Sequence, residues 1–160
     1  ESSNKIIQHG EMVSFDTDMV GPYGYCADIS RTFVEGNNFN DEQKKLYEIA
    51  VEHITFNADL IKNGMSFREF TMKSWKLPED YYGNRYSCMV HGIGLCDEWP
   101  FIKYPTDGGQ RDGYFEKNMT IAVETYIGKV DGKEGVKLEQ MYRVGDQHLE
   151  LMSLHPLEKF

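Results

Sequence analysis

The sequence predicts an α+β domain built on an antiparallel sheet. Three observations carry that expectation. The first 34 residues read as two strands around a Gly-Pro turn cluster. A single long amphipathic helix follows. The rest of the chain is again β-rich.

The elements follow in order. Met12 to Met19 reads as a strand entered through His9-Gly10. "GPYG" at residues 21–24 is a turn, and Tyr25 to Val34 reads as the return strand of a hairpin. "NNFNDEQ" offers an N-cap at Asn40 or Asp41 for a helix through about Lys62, before Gly64. Leu46, Ile49, Ala50, Ile54, Leu60 and Ile61 give it an apolar stripe. Ser66 and Glu69 suggest a capping box for a short helix through about Lys76, which Pro78 ends. Ser87 to His91, Met119 to Ile127 and Gly135 to Val144 read as strands. Residues 95–117 hold Pro100, Pro105 and "DGGQRDG" and read as a long functional loop.

Apolar residues make up 40% of the 160 residues and charged ones 27%, as in ordinary globular domains. The net charge of −9 and the lack of a dominant basic patch argue against nucleic acid or an anionic membrane as partner. No apolar run approaches the roughly 18 residues of a membrane span. Cys26, Cys88 and Cys96 form no C-x-x-C pair, which favours a reducing, cytoplasmic setting without a disulfide framework. The chain starts at Glu1 and ends at "HPLEKF", so a fragment of a longer protein is expected.

Several polar residues stand in runs that otherwise build a core. Asp16, Asp18 and Asp28 lie on the hairpin, His91 in "MVHGIGL", Glu124 in "IAVETYI" and Glu139 in "VKLEQMYRV". An unpaired carboxylate buried among Ile121, Ala122, Val123 and Ile127 would cost several kcal/mol or stay protonated. Carboxylates that converge with one imidazole suit more than one divalent transition-metal ion, with a shared carboxylate bridging them.

The order Asp, Asp, His, Glu, Glu, with "GYCADISRTF", "HGIGL" and "VET", resembles the pita-bread metalloenzymes: methionine aminopeptidases, prolidases, aminopeptidase P and creatinase. The resemblance spans essentially the whole chain. It implies a curved antiparallel sheet with helices on its outer face. It also implies that residues 1–160 are part of a C-terminal catalytic domain whose N-terminal partner domain is absent here. By analogy Asp16 would chelate one metal, Asp28 and Glu139 would bridge, and His91 and Glu124 would bind the other. Iron is the first expectation, with manganese, cobalt or zinc as alternatives.

Two features depart from the peptidases. They usually read D-x-G at the first aspartate, whereas this chain reads "DTD" and places Asp18 at the glycine. The prolidase pattern H-G-x-G-L-x-x-H-E becomes "HGIGLCDEWP", so its second histidine is missing and Asp97 and Glu98 stand nearby. Both departures are similar to the dimethylsulfoniopropionate (DMSP) lyases of this superfamily, the DddP type. In that group an aspartate six residues after the metal-binding histidine is the proposed base, and Asp97 has that spacing from His91.

This implies a lyase that splits DMSP into dimethyl sulfide and acrylate, with Asp18 as an added metal ligand. Tyr86 and Trp99 are the expected contacts for the sulfonium, through cation–π attraction of roughly 0.5–2 kcal/mol. Arg31 is expected to orient a ligand carboxylate. The full-length protein would be a homodimer. A metal-dependent Xaa-Pro peptidase and a non-catalytic binding protein remain the other readings.

Overall fold

The computed structural model describes residues 4–36, 38–109 and 112–160. Strands β1 (Met12–Val20) and β2 (Cys26–Val34) form an antiparallel hairpin. A single 3-10 turn, Pro22–Gly24, joins them, and Gly24 takes the left-handed φ of 84° that the reversal requires. Helix α1 (Asp41–Leu60) follows, then α2 (Phe67–Lys73) and the one-turn α3 (Glu79–Tyr82). The second sheet holds β3 (Cys88–Ile93), β4 (Asp97–Lys103), β5 (Thr120–Gly128), β6 (Gly135–Val144) and β7 (Leu149–Leu151). Its order is β4-β3-β5-β6-β7, antiparallel throughout.

Helix α1 begins where its side chains satisfy its first amides. The Asn40 side chain accepts from Gln43 N at 2.9 Å, and the Gln43 side chain accepts from Asn40 N at 3.0 Å. The helix buries Leu46, Tyr47, Ala50, Ile54 and Ala58, while Ile49 and Leu60 sit at the edge of that face. It packs on β5 and β6. Ile121, Val123 and Ile127 alternate along β5, and Val136 and Leu138 along β6, to form the other wall of the core. Ser66 caps α2 through Glu69 N, and Phe67 and Phe70 stack edge-on against Phe115.

The segment expected as a loop contains a strand. β4 pairs with β3 through two register shifts that mark bulges. It lies at the sheet edge, where Pro100 takes no ladder bond from a neighbour. That tolerance is why prolines misled the sequence reading. Gly92 has a direct reason: a Cβ there would lie 2.3 Å from the Trp99 carbonyl oxygen, so β3 and β4 approach closely only with glycine. α2 ends at Lys73, short of the expected Lys76, with Ser74 as its C-cap, and Pro78 instead precedes the one-turn α3 as its N-cap. β7 is too short for its pattern to register. Among the described residues, no helix is long and apolar enough to cross a membrane.

His53, on the inner face of α1, is fully buried and its Nε2 shares a hydrogen bond of 3.0 Å with Tyr104 Oη. Burial pulls its pKa down to about 3. An unfolded chain protonates this ring below about 6.5, while the folded chain refuses the proton until about 3. The stability present above 6.5 is therefore lost as pH falls through that window. Urea unfolding at neutral pH and at about pH 5 checks this. His53→Gln should lose about 2 kcal/mol less than the unmutated chain on acidification. An equal loss in both proteins would show that His53 is not the group responsible.

Candidate metal centre

The register of β5 and β6 places Glu124 directly opposite Glu139. β3 pairs His91 with Ala122, two residues from Glu124 and on the same face. The three polar side chains thus share the face turned away from α1, and the apolar residues between them face the core. The β1–β2 hairpin covers this polar face. Asp16 is paired with Ser30, and Asp18 with Asp28, so all four point from one side of the hairpin.

Hydrogen bonds set the spacing between the layers. Ser30 Oγ lies 2.6 Å from Asp16 Oδ1 and 2.8 Å from Glu139 Oε2, and its one proton serves either oxygen. Thr32 Oγ1 donates to Lys137 O at 2.8 Å and accepts from Lys137 N at 3.0 Å. Arg31 differs from its expected role. It donates to the backbone carbonyl of Glu139 and to Gln140 Oε1, so it holds the β6 backbone and not a ligand carboxylate.

Asp28, His91, Glu124 and Glu139 are all at most 3% exposed. His91 Nε2 lies 3.1 Å from Glu139 Oε1, 3.4 Å from Glu124 Oε1 and 3.6 Å from Asp28 Oδ2. Its Nδ1 lies 3.0 Å from the Gly92 carbonyl oxygen. With a proton on Nδ1 donated to that carbonyl, Nε2 is the nitrogen turned to the carboxylates, where it donates a proton to Glu139 in the absence of metal and would give its lone pair to a bound ion.

Three overlapping groups each offer ligand atoms within 4.8 Å of one another: His91, Glu124 and Glu139; Asp16, Asp28 and Glu139; and Asp28, His91 and Asp97. Glu139 belongs to two of them, as a bridging ligand would. The buried Asp28 Oδ1 has no hydrogen-bond partner among the described residues. An orphaned buried oxygen beside other carboxylates fits a metal ligand. Burial and the Glu139 charge push Asp28 up to about 8, and burial pushes Glu124 up to about 7. Burial alone would raise Glu139 too. The His91 hydrogen bond and the Lys137 charge outweigh it and hold that group down at about 2.

The other expected residues sit around this cluster. Asp18 is exposed and lies in none of the three groups. Asp97 is the first residue of β4, on a strand rather than beyond one, and its half-exposed carboxylate lies 3.8 Å from His91 Nδ1. Tyr86 lines a cavity of about 350 Å³ with Asp16, Asn84, Arg85, Tyr126 and Lys137. Trp99 is partly exposed and packs edge-on against Phe67, with ring centroids 5.5 Å apart. A larger hollow of about 590 Å³ lies against Tyr47, Phe56 and Phe160 and holds none of the cluster.

Two residues with a part in the cluster escaped sequence reasoning. Ser30 ties Asp16 to Glu139. Lys137 contacts Glu124 and also approaches Glu139 at 3.4 Å and Asp16 at 3.5 Å. The signal for Lys137 was its place two residues before Glu139, which puts both on one face of the strand.

Mn2+ should raise the melting temperature of the metal-free chain by roughly 5–10 °C at a hundredfold excess over its Kd. Glu139→Gln should remove most of that rise, because Glu139 is shared by two groups. A Mn2+ response of equal size in the variant would exclude Glu139 as a shared ligand.

The comparisons with known proteins bear on the family and the fold. The model of metallopeptidase family M24 matches residues 1–146. The dimethylsulfoniopropionate lyase DddP of Roseovarius nubinhibens is 35% identical over 161 residues, covering 99% of this chain and 36% of that protein. The Xaa-Pro dipeptidase of Pyrococcus horikoshii is 31% identical over 134 residues, covering 82% of this chain and 37% of that protein. The crystal structure of the X-Pro aminopeptidase from Thermotoga maritima superposes with a TM-score of 0.80 at 25% identity, over 99% of this chain and 44% of that one. This chain therefore spans little more than a third of the curated relatives' length. The expected pita-bread fold is the one found, and the chain belongs to metallopeptidase family M24.

Proposed function

We propose that this chain carries the metal centre of a lyase that splits DMSP into dimethyl sulfide and acrylate. The observation that carries the reading is Asp97. It stands near where the prolidase pattern has its second histidine, and its carboxylate lies at the solvent side of His91, 3.8 Å from Nδ1. Similarity to the DMSP lyase DddP over 99% of the chain supports the same choice.

Asp16, Asp28, His91, Glu124 and Glu139 would hold two divalent ions, with iron the first candidate and Asp18 an added ligand from the rim. Such ions supply Lewis acidity that fixes the substrate carboxylate and lowers the barrier to removing the proton beside it. Asp97 accepts that α-proton. The electron pair forms the C=C bond of acrylate as the β-carbon–sulfur bond breaks, and dimethyl sulfide leaves with the sulfur pair. The proton remains on Asp97 until water removes it. Tyr86 and Trp99 offer aromatic faces to the sulfonium, and an acidic site repels that cation less than a second imidazolium would. A cytoplasmic location and a homodimeric full-length enzyme belong to the same proposal.

A metallopeptidase acting on Xaa-Pro bonds is the second reading. The 31% identity to an Xaa-Pro dipeptidase supports it. A base removed from the reaction lowers kcat without touching the metal. Asp97→Asn in the full-length protein should therefore cut dimethyl sulfide release by about a hundredfold or more while bound metal stays constant. Activity within a few-fold of the unmutated enzyme would eliminate Asp97 as base. Loss of metal in step with activity would make it a ligand instead. Cleavage of Gly-Pro with no dimethyl sulfide release would replace the lyase by the peptidase.

A further inference from the structure

Lys137 lies inside the carboxylate cluster, and no role assigned so far uses it. Its side chain is only 12% exposed. Its ammonium contacts Glu124 Oε2, and it lies 3.4 Å from Glu139 Oε2 and 3.5 Å from Asp16 Oδ2. The opposite oxygens, Glu124 Oε1 and Glu139 Oε1, face His91 Nε2. The cluster thus has two cationic poles, an imidazole on the Asp97 side and an ammonium on the Asp16 side. Arg85, which lines the neighbouring cavity, is engaged by Asp107 and stacked 3.8 Å over the Tyr82 ring. Lys137 is therefore the cation that this cavity presents to the carboxylates. Its Nζ also lies 5.0 Å from the Tyr86 ring centroid, so an aromatic face adjoins it on the cavity side.

A buried lysine holds its charge only where carboxylates compensate it, and the carboxylates here would repel one another without it. The group Asp16, Asp28 and Glu139 offers its atoms to a cation where two of its members already face the ammonium. We propose that Lys137 is the built-in counter-ion of this centre. It positions Glu124, Glu139 and Asp16 before metal is loaded, and it competes with the ion that binds beside Asp16. On loading, its ammonium yields the Asp16 and Glu139 oxygens and turns outward, toward the open side of the neighbouring cavity. Lys137 is thus a positioning residue that sets the affinity of the weaker metal site. The inference rests on reading the cluster as a metal centre, and does not depend on which reaction that centre serves.

The test is calorimetric titration of the full-length, metal-free protein with MnCl2, together with thermal melting. Lys137→Met should bind the weaker Mn2+ about tenfold or more tightly than the unmutated protein, because a competing charge is gone. The same variant without metal should melt roughly 5 °C or more below the unmutated protein, because the carboxylates lose their cation. Lys137→Arg keeps the charge and should restore the metal-free melting temperature. Equal or weaker Mn2+ binding by Lys137→Met would overturn the proposal. An unmutated protein that binds no Mn2+ would overturn the metal reading and this inference with it.

A measurement on the unmutated protein stands if Lys137→Met fails to fold. Reductive methylation with formaldehyde and borohydride, read by peptide mass spectrometry, reports how accessible the Lys137 amine is. Labelling should be slow without metal and several-fold faster with saturating MnCl2. A rate that Mn2+ leaves unchanged or lowers would refute displacement of the ammonium.

Discussion

Buried negative charges that face one another across a narrow gap govern the architecture of this chain. Asp28, Glu124 and Glu139 are almost completely excluded from water, and Asp16 meets them from the rim. Like charges at such separations in a low-dielectric space raise one another's proton affinity unless a cation intervenes. The pattern of shifts follows from this. Glu139, which takes hydrogen bonds from both His91 and Ser30 beside the Lys137 charge, stays ionised, whereas Asp28, buried against the Glu139 charge, is driven toward its neutral form. The protein's own cations offset the repulsion only in part. The donor set therefore suits divalent ions.

Strands are the appropriate elements for such a site. A strand sends alternate residues to opposite faces, so one segment can feed the core and the metal centre together. On β5 and β6, Val123 and Leu138 pack toward α1 while Glu124 and Glu139 face the hairpin. Backbone register then fixes the distance between the two glutamates without help from a loop. The hairpin is held over them by side chain–backbone contacts, from Thr32 to Lys137 and from Arg31 to Glu139. Such contacts position a layer firmly while leaving its own ladder complete.

Much of the cluster was legible because its residues violate the rule of their surroundings. A carboxylate within "IAVETYI" has no solvated explanation once that run is read as a buried strand. Lys137 and Ser30 break no such rule. A lysine on an alternating strand reads as a solvent-facing residue, and a serine beside an arginine reads as ordinary surface. Their roles arise only when the hairpin folds over the sheet and closes off water. β4 was hidden for a related reason, since a proline is incompatible with a central strand but acceptable at an edge. Edge or centre is a property of the sheet, not of the segment.

The sequence by itself determined the hairpin, the amphipathic helix, the core strands and the identities of the carboxylates and imidazole. Each of these depends on local periodicity or on residue chemistry within a few positions. The tertiary structure alone decided which oxygens meet, that Asp97 opens an edge strand beside His91, and that Lys137 lies among the acids. Those facts depend on strand order, on register between segments far apart in the chain, and on the exclusion of water between two layers. No local pattern encodes them, because the energies that set them appear only when distant carboxylates share one desolvated space.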